Sequence, residues 1–244
     1  MDVIKQIGAL FESFSSRASY FAVLIIVLGA ILHYSGVNLS LSSENKLIIF
    51  VVLLILTTSF SLGLFIHLCY PKLRIWPPPG KSSWQFWFVW ILYTVGALGV
   101  SVIGILDWGT LELNHWSLSV IGAGLLLFAV ILGEWGVRTL NVHQTLGLKG
   151  ALLTKGPYRV SRNPQYVAEI FIYTGIILVT GSFEALIIGI IMMLWFVMAP
   201  LSEEPWLMQQ FGKQYEEYLK NVPRFIGLRS FRLKNSDVIP RALF

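Results

Sequence analysis

Gly156-Pro-Tyr-Arg-Val-Ser-Arg-Asn-Pro-Gln-Tyr166 is a polar, cationic stretch that lies between long apolar runs. Hydrocarbon offers its backbone N–H and C=O groups no hydrogen-bond partners, so we expect the stretch at a membrane surface. Asn163 followed by Pro164 is typical of the N-cap and the first residue of a helix. The stretch therefore predicts a shaped surface loop that leads into a helix.

The composition around this loop is that of an integral membrane protein. The 244 residues are 55% hydrophobic and only 13% charged, with a mean hydropathy of +0.70, which is too apolar for a soluble domain. The net charge of +5 comes from cations in short loops, a pattern that sets membrane orientation and argues against a nucleic-acid partner. The single cysteine excludes an intrachain disulfide, and the four scattered histidines predict no metal site.

Hydropathy predicts an all-α, polytopic fold with about six transmembrane helices. The short connection 181–184 makes the last two apolar runs an antiparallel helical hairpin. Residues 1–17 have helical periodicity, which predicts an amphipathic helix on the membrane or a simple cytosolic extension. The predicted spans are 18–36, 47–70, 84–106, 118–136, 167–180 and 185–201.

The remaining segments flank these spans. The proline-rich connector 71–80 predicts a stiff surface strap with Trp76 and Trp84 at headgroup depth and no catalytic role. From Ser202 onward, apolar residues recur at helical spacing, which predicts a cytoplasmic C-terminal helix with one apolar face. We therefore divide the chain into membrane-anchoring helices (1–137), a core with the loop, hairpin and C-terminal helix (138–226), and a basic tail (227–244).

The distribution of cations predicts the orientation of the chain. With six crossings, 17 of the 18 Lys and Arg residues fall on the side that holds both termini, and only Lys46 falls on the other. The positive-inside rule then puts both termini and the stretch 156–166 in the cytoplasm.

Three polar groups are candidates for chemistry, and each has a simpler structural interpretation. The arginines of the stretch 156–166 also suit an interfacial anchor. Glu203-Glu204 also suits a capped helix start, although adjacent carboxylates beside a membrane helix require a positive partner. The Gly122-Ala123-Gly124 triplet, which lies inside an apolar helix, is typical of close helix packing.

The order of these motifs resembles one known group of enzymes. The stretch 156–166, the hairpin and the segment Glu203-Glu204 to Pro223-Arg224 are similar to the isoprenylcysteine carboxyl methyltransferase and phospholipid methyltransferase family, over roughly residues 134–226. The resemblance implies an integral membrane enzyme that transfers a methyl group from S-adenosylmethionine to a lipid-like acceptor, either a lipid headgroup amine or a prenylcysteine-like carboxylate. It implies catalytic roles for Arg162, Asn163 and Glu204. It implies a cofactor site made from Gly122, Gly124, Tyr158, Arg159, Asn163, Pro164, Tyr166, Glu203 and Glu204.

The residue types suit such a cofactor, but several assignments stay open. Either glutamate can accept hydrogen bonds from the ammonium or the ribose hydroxyls of the cofactor, and either arginine can pair with the carboxylate of the cofactor. Either tyrosine can lie beside the adenine or the sulfonium. Asn163 replaces the histidine of many relatives, which weakens a general-base role there. An apolar segment precedes Glu203 where eukaryotic isoprenylcysteine enzymes carry arginine, which argues against a prenylcysteine carboxylate unless another cation, such as Arg138 or Arg224, takes the place of that arginine. The alternatives are a nicotinamide-dependent sterol or enone reductase and a non-catalytic lipid-binding scaffold.

Overall fold

The structure is a computed structural model that describes residues 10, 13–37, 39, 41–112, 116–227 and 230. Every regular element in these residues is a helix, which confirms the predicted all-α class. The predicted amphipathic helix over 1–17 and the basic tail over 227–244 lie largely outside the described residues and stay predictions. The helices are α1 (Ala18–Tyr34), α2 (Ser43–Cys69), α3 (Trp84–Leu106), α4 (Trp116–Leu140), α5 (Val142–Thr145), α6 (Pro164–Thr180), α7 (Phe183–Phe211) and α8 (Lys213–Asn221), with 3-10 turns at Pro71–Leu73 and Gly156–Arg159.

The predicted apolar runs coincide with α1 to α4, α6 and α7. Among the described helices, α2, α3, α4 and α7 are long and apolar enough to cross a membrane, which supports an integral membrane protein. Helices α1 and α6 are also apolar, but each has only 17 residues, about 25 Å of helix. The number of six crossings therefore stays a prediction.

Helix α3 is the centre of the bundle. It packs against α1, α2, α6 and α7, and its buried residues lie on every side of the helix. Helix α4 packs most extensively on α6. The two approach closely at Gly122, where a Cβ atom would lie 2.9 Å from the carbonyl oxygen of Gly175, so a larger side chain would force the helices apart.

The hairpin formed by α6 and α7 has the predicted antiparallel arrangement and a tighter turn than expected. Gly181 ends α6 in the left-handed conformation, with φ of +55°. The next residue, Ser182, caps α7 by accepting a hydrogen bond from the backbone N–H of Ala185. Two residues therefore reverse the chain.

Helix α7 is longer than predicted. The expectation of a separate helix starting at Ser202 is wrong, because α7 continues through Pro200 and Pro205 to Phe211. Each proline removes one backbone hydrogen bond, but the burial of the neighbouring turn, including Pro200 and Ser202, holds the helix together. The break comes instead at Gly212, with φ of +53°, and α8 follows.

The loops at the end of the bundle opposite the stretch 156–166 meet in an ion cluster. The Lys46 Nζ atom lies 2.8 Å from Asp107 Oδ1 and 3.7 Å from Glu184 Oε1. Burial alone would raise the pKa of Asp107, but hydrogen bonds from Lys46, Thr110 and Ser182 and the Glu184 N–H outweigh it and hold that pKa below its ordinary value. The cluster ties together the connections α1–α2, α3–α4 and α6–α7, which agrees with helices that alternate in direction.

Candidate active site

The loop before α6 is fastened to the segment that follows α8. Asn163 occupies the predicted N-cap position of α6, but its side chain makes no capping hydrogen bond. Its Nδ2 atom donates instead to the carbonyl oxygen of Arg224 at 2.9 Å. The neighbouring Arg162 backbone N–H donates to the Pro223 carbonyl oxygen, also at 2.9 Å, and the Ser161 hydroxyl donates to Arg224 O at 3.2 Å. The loop and the C-terminal segment, whose contacting residues lie about sixty positions apart in the sequence, therefore meet at one end of the bundle.

The carboxylate of Glu203 points into the bundle and binds two aromatic side chains. Its Oε1 atom accepts hydrogen bonds from the indole N–H of Trp76 and from the hydroxyl of Tyr166. Trp76 also donates to the Tyr166 oxygen at 3.0 Å. Trp76 is only 3% exposed and forms part of this network, so its ring packs inside the protein, and its predicted headgroup depth stays a prediction.

The adjacent carboxylate of Glu204 has different partners. The guanidinium of Arg224 donates to both of its oxygens at 2.7 Å, and Arg162 Nη1 lies 3.2 Å from Oε1. Because the Glu204 carboxylate accepts these hydrogen bonds, the pKa of Arg224 is raised above its ordinary value, although burial opposes the effect. The positive partners that the sequence required for the acidic pair are therefore arginines of the loop and of the C-terminal segment.

A cavity of about 130 Å³ lies between these groups. Five predicted site residues line it, namely Tyr158, Arg162, Asn163, Tyr166 and Glu203. Its remaining walls come mainly from the segment 140–153, the last turns of α7 and helix α8, with one residue each from the proline-rich connector and α6. They are Pro77, Leu140, Gln144, Thr145, Gly147, Leu148, Gly150, Ala151, Leu152, Leu153, Gln165, Trp206, Leu207, Phe211, Tyr215 and Tyr218.

Other predicted site residues do not reach this cavity. Arg159, Pro164 and Glu204 lie next to lining residues without lining it themselves. Gly122 packs against α6, and no atom lies within 4 Å of a Cβ built at Gly124, so the structure does not bring either glycine to the cavity.

Buried tyrosines close the side of the cavity that faces α8. The Tyr218 hydroxyl donates to the backbone carbonyl of Tyr158 at 2.7 Å. Burial raises the pKa of both phenols, and of Tyr215, well above the ordinary value, so they stay neutral at physiological pH. The predicted apolar face of the C-terminal segment is confirmed here, because Tyr215, Tyr218 and Val222 are buried against Leu207 and Phe211.

Comparison with known proteins bears on the same segment. A family model described as phospholipid methyltransferase matches residues 118–214, which run from the start of α4 into α8. The predicted family resemblance is confirmed. The match to the phospholipid methyltransferase family contains all five predicted residues that line the cavity.

A curated relative is similar over part of the chain. The chain is 27% identical to protein-S-isoprenylcysteine O-methyltransferase B of Arabidopsis thaliana over 117 residues, which cover 45% of this chain and 59% of that protein. No solved structure matches the chain. The similarity to the phospholipid methyltransferase family, over residues 118–214, does not include Trp76 or Arg224. Trp76 nevertheless binds Glu203, and Arg224 binds Glu204.

Sequence reasoning missed Trp76, Gln144, Gln165 and Trp206. Gln165 was part of the quoted stretch 156–166, and its position after Asn163-Pro164 was a usable signal. Trp76 carried no such signal, because its partner Glu203 lies 127 residues away.

Proposed function

We propose that this chain is an integral membrane methyltransferase that uses S-adenosylmethionine and modifies a lipid-like acceptor at the cytoplasmic membrane face. The observation that carries the proposal is the convergence of Tyr158, Arg162, Asn163 and Glu203 on one cavity at the end of an apolar bundle. The similarity of residues 118–214 to phospholipid methyltransferases supports the reaction class. The family model is described by phospholipids and the name of the Arabidopsis relative by isoprenylcysteine. The proposed acceptor is therefore either a lipid amine or a prenylcysteine-like carboxylate.

The polar groups of the cavity fit this cofactor. The Nε atom of Arg162 is buried without a hydrogen-bond partner among the described residues, whereas Nη1 of the same side chain lies 3.2 Å from the Glu204 carboxylate. The Nε donor and the positive charge of Arg162 suit the carboxylate of the methionine part. The Glu203 carboxylate suits its ammonium or ribose hydroxyls, and the apolar walls near Leu207 and Phe211 suit adenine.

The cavity is small for the proposed cofactor. Its volume of about 130 Å³ is below the roughly 300–1,000 Å³ typical of sites for small-molecule ligands. The walls contributed by the end of α7 and by α8 contain half-buried side chains such as Trp206, Leu207 and Phe211. We infer that these walls part to admit the cofactor and that the Glu204–Arg224 pair holds them together when closed.

When bound, S-adenosylmethionine supplies an electrophilic methyl group on a sulfonium. The task of the protein is then to align the acceptor with that methyl and to exclude water, because proximity accounts for much of the rate of an in-line transfer. Glu203 is held by Trp76 and Tyr166 and presents its carboxyl group on the cavity wall, where a bound cationic centre would favour the ionised form. The neutral tyrosines near α8 close the cavity without offering a competing nucleophile.

Calorimetry on the purified protein in detergent tests the proposal. We expect saturable binding of S-adenosylmethionine and S-adenosylhomocysteine, and no binding of reduced nicotinamide adenine dinucleotide phosphate. Membranes that contain the protein should also transfer label from methyl-labelled donor into extractable lipid. Absence of binding to both sulfur compounds would overturn the proposal, and binding of the nicotinamide instead would indicate a reductase.

The proposed orientation has its own test. A reporter fused to the C-terminus should be active in the cytoplasm, in agreement with 17 cations on that side. An external reporter would overturn the orientation and would remove the cavity from the cytoplasmic cofactor pool.

A further inference from the structure

A second cavity lies directly behind the first, among α1, α3, α4, α6 and α7. Its volume is about 50 Å³, and Thr145, Gln165 and Tyr166 line both cavities. A single layer of side chains therefore separates them. The remaining walls of this second cavity, which we name the aromatic chamber, are mostly rings, with Trp76, Trp90, Tyr93, Trp195 and Phe196 among them.

One carboxylate, that of Glu169 on α6, lines the aromatic chamber. Its Oε1 atom accepts a hydrogen bond from the Tyr93 hydroxyl at 2.9 Å. Its Oε2 atom is buried and has no partner of hydrogen-bonding geometry among the described residues, and Ser19 is the other polar group beside it. An ionisable residue at such a depth in an apolar bundle implies a ligand or partner that the apolar surroundings do not supply.

No Lys, Arg or His is among the described residues that line the aromatic chamber. Two cations near the ends of α1 and α4 bind groups outside the chamber, Arg17 the Ser13 hydroxyl and Arg138 the Glu134 carboxylate. A second carboxylate entering the chamber would therefore meet Glu169 without a compensating positive charge. An amine or ammonium would instead pair with Glu169 and lie against aromatic faces, which attract cations.

An apolar cleft of about 720 Å³ leads toward the chamber along the same two helices. On α1, Ser19 and Tyr20 line the chamber and Val23 lines the cleft one turn later. On α4, Gly133 lines the chamber and Val130 lines the cleft one turn earlier. A hydrocarbon chain in the cleft would thus bring its headgroup to the chamber. The indole N–H of Trp195 has no hydrogen-bond partner in the described part of the chain and can donate to a headgroup oxygen.

We propose that the α1–α4 cleft and the aromatic chamber form the acceptor site and that the acceptor is a lipid with an amine headgroup recognised by Glu169. This inference rests on the proposed function and selects one of its two acceptor classes. In the transfer, the bound ammonium first gives one proton to Glu169 Oε2, the carboxylate oxygen that Tyr93 does not bind. The nitrogen lone pair that this frees forms the new N–C bond, and the electron pair of the broken C–S bond stays on the donor sulfur.

Binding without turnover tests the chemical class of the ligand. The protein is placed in nanodiscs of phosphatidylglycerol, and its thermal unfolding is followed with dodecylamine or dodecanoate added. Dodecylamine should stabilise the protein more than dodecanoate does. In Glu169→Gln, the dodecylamine concentration that gives half of the maximal stabilisation should rise about tenfold, because a charged hydrogen bond is lost. The exposed variant Glu216→Gln is the matched control and should behave like the parent protein.

Turnover tests the acceptor itself. Vesicles of phosphatidylglycerol are supplemented with phosphatidylethanolamine or with N-acetyl-farnesylcysteine, and label from methyl-labelled donor is followed into each. Label in the ethanolamine lipid alone supports the inference. Label in the farnesylcysteine alone, or equal stabilisation by amine and carboxylate probes, would overturn it.

A second variant and a cofactor measurement keep the outcomes distinct. Ala123 is exposed in the cleft, so Ala123→Trp narrows the cleft without disturbing the core, and it should raise KM for the ethanolamine lipid about tenfold. An unchanged KM would overturn the role of the cleft. Glu169→Gln should bind S-adenosylhomocysteine with the same affinity as the parent protein. If the parent protein itself does not bind S-adenosylhomocysteine, the proposed function is overturned rather than the acceptor site.

Discussion

Replacing Glu203 with Gln separates the electrostatic role of this residue from its packing. The amide oxygen of Gln can still accept the hydrogen bonds from Trp76 and Tyr166, so the network keeps its shape while the negative charge disappears. S-adenosylmethionine carries one more positive charge than S-adenosylhomocysteine, on its sulfur. The variant should therefore lose more affinity for the first compound than for the second.

The expected magnitude follows from the size of the cavity. A charge bound within about 130 Å³ lies close to the wall that carries Glu203. For a separation of about 6–8 Å and an effective dielectric constant of about 20, the attraction is about 2–3 kcal/mol. Salt screening at this half-buried position reduces it to about 1–2 kcal/mol, which corresponds to about 5–30-fold in Kd.

Isothermal calorimetry with both compounds measures the effect as a ratio of dissociation constants. Errors in active protein concentration cancel in that ratio, and Glu216→Gln on the exposed face of α8 serves as the matched control. An equal loss of affinity for both compounds would mean that Glu203 supports the cavity only mechanically. Unchanged affinity for both would refute its place in the cofactor site.

Three further predictions concern stability. Arg224→Met and Glu204→Gln should be coupled by about 1–2 kcal/mol in the free energy of unfolding, given partial exposure of the pair, and purely additive losses in a double-mutant cycle would contradict this. Gly122→Leu should cost about 2–3 kcal/mol because its Cβ meets an α6 carbonyl, whereas Gly124→Leu, which faces open space, should cost under about 0.5, as compared by thermal melting. Since folding lowers the pKa of Asp107, the contribution of this residue to the free energy of unfolding should be complete above about pH 4. The contribution should decline as the pH falls through the folded-state pKa. Acid unfolding of Asp107→Asn should lack this decline.

Local patterns predicted the helices and the loop well because their causes are local. Apolar runs set the helices, and Asn163-Pro164 set the start of α6. The same reasoning expected the Asn163 side chain to cap that helix, yet its amide binds the carbonyl of Arg224, 61 residues later. A distant partner of this kind leaves no trace in the local sequence.

The acidic pair shows a second limit of sequence reasoning. Glu203 and Glu204 are neighbours in the chain, but consecutive residues of a helix point about 100° apart. One therefore reaches Trp76 and Tyr166 inside the bundle, and the other reaches Arg224 at its end. Only the packing of α7 decides which carboxylate faces the cavity.

The two prolines of α7 give this long helix a joint beside the cavity. Each leaves one carbonyl without its usual backbone donor, so the helix resists bending least between Pro200 and Pro205. Beyond that joint lie Trp206, Leu207 and Phe211, which form part of the cavity wall. We expect tilting of this short terminal arm to open the cavity from the aqueous side while the membrane-embedded turns keep their packing, so that the proposed donor could exchange without disturbing the proposed lipid acceptor.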